Sequence, residues 1–127
     1  MIKRWTMRLG LTLALGVTVL LSTTSPAFAG NTLLLLSDID GRQVAHMVHV
    51  DDGDVFKIYD DQADGYGPEG CLQVYTPTHG WATLRCEHNG AGDGNPVSFN
   101  YNVLELVAYR MRLCHAIAGC SYQGFTE

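Results

Sequence analysis

The chain has 127 residues, eight Lys/Arg against thirteen Asp/Glu, four cysteines and a formal net charge of −5. Its length suits one small domain with a modest core. The acidic balance argues against nucleic acid or an anionic membrane surface as partner, because both are recognised by basic surfaces.

Residues 1–29 read as a secretory signal peptide. Lys3, Arg4 and Arg8 form a charged start, Leu9–Leu21 is apolar, and Ala27-Phe28-Ala29 is a small-x-small cleavage site. Thirteen helical residues rise about 20 Å, too short for a hydrocarbon core of roughly 30 Å. The expectation is a secreted, extracellular protein starting at Gly30. It carries five Lys/Arg against thirteen Asp/Glu, a net charge of −8 over 98 residues.

Thr32–Leu36 and Val44–Val50 are apolar, largely β-branched or leucine-rich runs, separated by the turn-forming Ser37–Gly41. Asp52-Gly53 suits a two-residue type I′ turn. That turn pairs Val50 with Val55, His49 with Phe56 and Met47 with Ile58. Ala45, Met47, Phe56 and Ile58 then share a core face. Asp60–Gly70 is a long acidic, glycine-rich loop. Leu72–Thr76 and Trp81–Cys86 form a second hairpin around Pro77-Thr78-His79-Gly80. With Thr76 facing Trp81, counting outward sets Cys71 opposite Cys86, within reach of a disulfide.

Glu87–Pro96 is a polar loop and Val97–Tyr101 a short strand. Leu106–Cys114 alternates, with Val107, Tyr109, Met111 and Leu113 on one face. The chain folds back through Ala116–Gly119, which brings Cys120 near Cys114, and Ser121–Thr126 is a last strand. Four cysteines in an exported chain indicate two disulfides, with Cys71–Cys86 and Cys114–Cys120 preferred. Their spacings do not resemble paired zinc ligands. The predicted fold is all-β: a small antiparallel sandwich or barrel spanning residues 30–127 as one domain.

Two stretches carry a resemblance. Gly53-Asp54-Val55-Phe56-Lys57-Ile58-Tyr59-Asp60-Asp61-Gln62-Ala63-Asp64-Gly65 resembles small secreted proteins of Streptomyces and related actinobacteria. So does Tyr109-Arg110-Met111-Arg112-Leu113-Cys114 with a further cysteine after it. The resemblance implies a secreted, disulfide-containing β domain and no assigned activity.

Several constellations are candidates for chemistry. Asp60, Gln62 and Asp64, followed by Gly65, partly match a calcium loop, but Cys71 stands where a closing glutamate belongs. The plainer reading is turn-forming aspartates facing solvent. Arg110 and Arg112, two apart on one strand face, could clamp a carboxylate or phosphate; the plainer reading is that they pair with neighbouring Asp or Glu or face water. His46 and His49 point to opposite strand faces, and nothing brings His79, His88 and His115 together. A hydrolase, such as a ribonuclease, is best assembled from Glu105, Arg110 and a histidine such as His115, and no motif orders them. Tyr66, Tyr75, Trp81 and Tyr122 lie in or beside turns, where aromatics suit recognition or core packing. The favoured reading is a non-enzymatic binding domain for a protein or cell-surface ligand, such as an inhibitor of a secreted enzyme. A calcium-stabilised module and a small hydrolase are the alternatives.

Overall fold

Val55–Asp60 shows why this chain forms sheets: apolar residues at every second position bury one face. Phe56 and Ile58 are fully buried, while Val55, Lys57 and Tyr59 are half-buried. The computed structural model describes residues 30–127, so the predicted signal peptide lies outside the described residues. Eight strands follow in order: β1 Thr32–Ser37, β2 Gln43–Val50, β3 Val55–Asp60, β4 Glu69–Thr76, β5 Gly80–His88, β6 Val97–Asn100, β7 Tyr109–His115 and β8 Gly119–Phe125.

They make two antiparallel four-stranded sheets, β1-β2-β3-β6 and β5-β4-β7-β8. The sheets stack face to face, with β1 over β8 and β7, and β2 over β7. The predicted all-β fold is thus realised as a sandwich. Leu34, Met47, Phe56, Ile58, Leu72, Phe99, Met111 and Leu113 fill the space between its layers. At one margin the Arg85 guanidinium lies 5.2 Å from the centre of the Phe99 ring, joining β5 to β6. Gly70 marks the tightest approach. A Cβ there would meet Ile58 and come within 2.9 Å of the Met47 sulfur.

The β2–β3 pairing follows the alternation: Met47 faces Ile58, His49 faces Phe56 and Val50 faces Val55. The turn itself differs from the type I′ expectation. Positive φ falls on Gly53 and Asp54, not on Asp52. Asp54 tolerates the left-handed region because its carboxylate is held from two sides, by His49 and by the Val103 N–H.

The β4–β5 hairpin corrects the sequence reading in two places that cancel. Its loop has three residues, with Gly80 at φ +69°, so Thr76 faces Gly80 and Tyr75 faces Trp81. A bulge at Leu84 then restores the count, and Cys71 still faces Cys86. Both preferred bridges are present: Cys71–Cys86 and Cys114–Cys120, with Cα separations of 4.1 and 4.0 Å. Two disulfides are compatible with an oxidising environment.

The last strand of the alternating run starts later than predicted. Leu106 has φ 61° and is almost wholly exposed, so residues 106–108 belong to the β6–β7 connection.

Candidate functional site on the outer face of the second sheet

Alternation along β4 turns Gly70 and Leu72 inward and Cys71, Gln73 and Tyr75 outward. On β7 the same rule turns Tyr109, Met111 and Leu113 inward and Arg110, Arg112 and Cys114 outward. The pairings then set Gln73 between Thr83 and Arg110, and Arg112 between Cys71 and Tyr122. The outer face of the second sheet therefore collects Tyr75, Trp81, Arg110, Arg112 and Tyr122.

Trp81 and Arg110 stand on strands either side of β4, so their backbones are roughly 9.5 Å apart. Their long side chains meet above Gln73. The Arg110 guanidinium lies 4.4 Å from the centre of the Trp81 ring and 4.4 Å from that of Tyr122. Gly124 is its direct neighbour on β8, and without a side chain there Tyr122 leans across diagonally. Arg110 Nε donates to Gln73 Oε1 at 2.7 Å, and Gln73 Nε2 donates to Thr83 Oγ1 at 3.0 Å. A guanidinium set over two aromatic rings and bonded at Nε is restrained in position. Tyr75 packs against Trp81 edge-on, with ring centres 5.4 Å apart. Tyr75, Trp81 and Tyr122 remain 49%, 36% and 48% exposed, a large apolar area for an open surface.

Among the described residues Lys57, Arg110 and Arg112 make no ion pair, whereas the other two arginines do. Arg42 pairs with Asp38, and Arg85 with Glu87. Among the described residues Arg110 and Arg112 meet no carboxylate within 4 Å; the nearest polar contact of Arg112 is the Cys120 sulfur, at 4.0 Å. Neither arginine therefore takes up the local pairing considered from sequence. The disulfides frame the patch, Cys71–Cys86 tying β4 to β5 and Cys114–Cys120 tying β7 to β8.

The other candidates are dispersed. Tyr66 lies apart, on the β3–β4 loop with its ring against His115. Arg110 and His115 are five residues apart on β7, roughly 17 Å, and point to opposite faces. Arg110 and His115 therefore do not converge on one side of the sheet. His115 is buried and its Nδ1 accepts from the N–H groups of Ile117 and Ala118. Its proton is therefore on Nε2, 3.5 Å from Asp64 Oδ2. Asp60 Oδ1 accepts from the Gln62 N–H, Gln62 Nε2 donates to the Gln43 carbonyl, and Asp64 Oδ1 accepts from the Tyr66 N–H. Each of the three proposed calcium ligands thus serves a separate local contact. His46 and His49 do face opposite ways: His46 stacks on Tyr59 and bonds to Asp61, while His49 is buried.

Three residues that matter were not singled out by sequence reasoning. Gln73 and Thr83 orient Arg110, and only the cross-strand register reveals them. Asn89, inside a glycine-rich polar loop, is 1% exposed and donates from Nδ2 to the carbonyls of Ile58 and Asn95. Compared with known proteins, the chain matches no family model, no curated protein and no solved structure. Its functional reading therefore rests on the chemistry of its own surface.

Proposed function

We propose that this protein is an exported, non-enzymatic binding domain that recognises a protein partner through the outer face of the β5-β4-β7-β8 sheet. The observation that carries the reading is Arg110 held between Trp81 and Tyr122 with no carboxylate of its own. Tryptophan, tyrosine and arginine are the residues that dominate binding energy at protein interfaces. Here they are clustered, exposed and pre-oriented. Pre-orientation lowers the entropy lost on binding, and the two disulfides hold the strands beneath in place. The partner supplies a carboxylate to the arginines and apolar surface to the rings. Inhibition of a secreted enzyme is one form this takes.

Trp81 is the one tryptophan in residues 30–127, so its fluorescence reports on the patch itself. The test pairs affinity capture from culture supernatant with titration of the purified captured protein. Capture by the wild type and by an Asp52→Asn control, but not by a folded Arg110→Ala/Tyr122→Ala variant, is the expected result. Titration then shifts Trp81 emission in the wild type alone. Equal capture by the patch variant, or an unchanged Trp81 emission, rejects this face as the binding surface.

A further inference from the structure

The end of β2 and the turn that follows hold a second cluster, distinct from the aromatic face. One ring nitrogen of His49, one carboxylate oxygen of Asp51 and one of Asp54 all lie within 4.8 Å of one another. His49 is 2% exposed, walled by Phe56 and Phe125 at ring-centre distances of 4.6 and 4.5 Å. Its Nε2 is 3.0 Å from Asp54 Oδ1.

Three buried side-chain atoms among the described residues have no hydrogen-bond partner: His49 Nδ1, Asp51 Oδ1 and His115 Nε2. Two of the three belong to this one group. A buried carboxylate oxygen without a donor is costly, as is an unmatched ring nitrogen. Of these two atoms it is Asp51 Oδ1 that a cation at this group would satisfy, because the His49 nitrogen facing Asp54 is Nε2 and Nδ1 lies on another edge of the ring. Among the described residues no Lys or Arg makes an ion pair with Asp51 or Asp54. More negative charge gathers at this spot. The Glu127 carboxyl is pushed above the ordinary value of 4.5 by loss of hydration and by Asp54, Asp51 and Glu105, against a smaller opposite pull from His49. A cleft of about 340 Å³ opens beside it, lined by Gly53, Asp54, Asn100, Tyr101 and Asn102.

We propose that His49, Asp51 and Asp54 form a binding site for a divalent transition-metal cation of the zinc type. One imidazole and two carboxylates suit such a cation, whereas calcium and magnesium prefer oxygen alone. Bonds of about 2.0–2.2 Å hold tetrahedral ligand atoms roughly 3.4 Å apart. The His49–Asp54 contact already falls inside that distance, and the short Asp51–Asp54 turn supplies the remaining adjustment. Asp54 also lines the neighbouring cleft.

The probe is zinc chloride added to chelator-treated full-length protein, read by calorimetric titration and by melting temperature. The expected result is one zinc per chain and a rise of several degrees at a hundredfold excess over Kd. Asp51→Asn removes one ligand and abolishes the rise, while Asp52→Asn, one residue along and outside the group, retains it. Asp51→Asn is the primary variant because His49→Gln also disturbs the core. An unchanged rise in Asp51→Asn overturns the site in favour of adventitious binding to surface histidines. Failure of zinc to bind, or a shift with calcium alone, overturns it as well.

Discussion

Replacing Asn89 by alanine tests how the two long loops are held. Asn89 Nδ2 donates to the buried Ile58 carbonyl at 2.9 Å and to the Asn95 carbonyl at 2.8 Å, and Oδ1 accepts from the Ala91 N–H at 3.2 Å. Its own N–H donates to the Pro68 carbonyl, so one residue joins the β3–β4 and β5–β6 connections. Alanine keeps that backbone bond and deletes the amide. Each carbonyl left buried without a donor costs about 1–3 kcal/mol. Water reaches the exposed Asn95 side and offsets part of the loss, which leaves a net destabilisation of about 3 kcal/mol. For a domain of this size that lowers Tm by roughly 12–24 °C. The assay is reversible thermal unfolding by circular dichroism, with urea unfolding as a second measure. Asn89→Asp adds a control on sign. Its carboxylate would face carbonyl oxygens, so its folded pKa is raised above the unfolded value. Its stability is then greatest at acid pH and is lost as pH rises through the folded pKa. A Tm loss below about 4 °C for Asn89→Ala, which is about 1 kcal/mol, would refute the claim that this amide anchors the loops.

Further predictions address other parts of the molecule. Gly67→Ala places a Cβ against the Asn89 carbonyl and 2.6 Å from Gly90 Cα, so the loops must part, at a cost of about 1–3 kcal/mol in urea unfolding. Paired Cys→Ser replacement of Cys71 and Cys86 costs about 3 kcal/mol, and of Cys114 and Cys120 about 2 kcal/mol, because the first closes the longer loop. The Asp38 carboxyl titrates below the ordinary 3.8, held down first by the Arg42 N–H and less by the Arg42 side chain. Its contribution to stability is present above the unfolded pKa and fades as pH falls through the folded one. Arg42→Ala should leave most of the depression in place by carboxyl NMR titration, and a return to 3.8 would assign the effect to the guanidinium. Arg110→Ala should move Trp81 emission to longer wavelength as water reaches the exposed ring, with Tm changed by only a few degrees.

Where the fold was legible in sequence, alternation and turn chemistry agreed. Met47, His49, Phe56 and Ile58 declare both the β2–β3 register and its buried face. Cys71 and Cys86 were matched because an odd-length loop and a bulge at Leu84 cancel, which no local pattern announces. Leu106 misled because alternation extends smoothly through a residue whose backbone has turned left-handed. The binding face was visible as a set of residue types and not as a place. Trp81 and Arg110 meet only because β4 pairs with β7, a contact between strands distant in sequence. Asn89 stayed hidden for the opposite reason: a polar residue in a polar loop looks solvated, and burial is decided by what packs over it.

Each disulfide joins strands that are neighbours in one sheet, and neither crosses to the facing sheet. The links therefore act on the chain before it is folded. In the oxidised, denatured polypeptide the β4–β5 and β7–β8 hairpins are already closed as small rings, so half the molecule begins the folding search with local pairing in hand. The β1-β2-β3-β6 sheet has no such start, and its docking rests on non-covalent contacts. Reduction should therefore slow the formation of the second sheet more than that of the first. Hydrogen exchange in the oxidised protein should find its readiest opening at the β1 and β6 margins, where no covalent tie resists it.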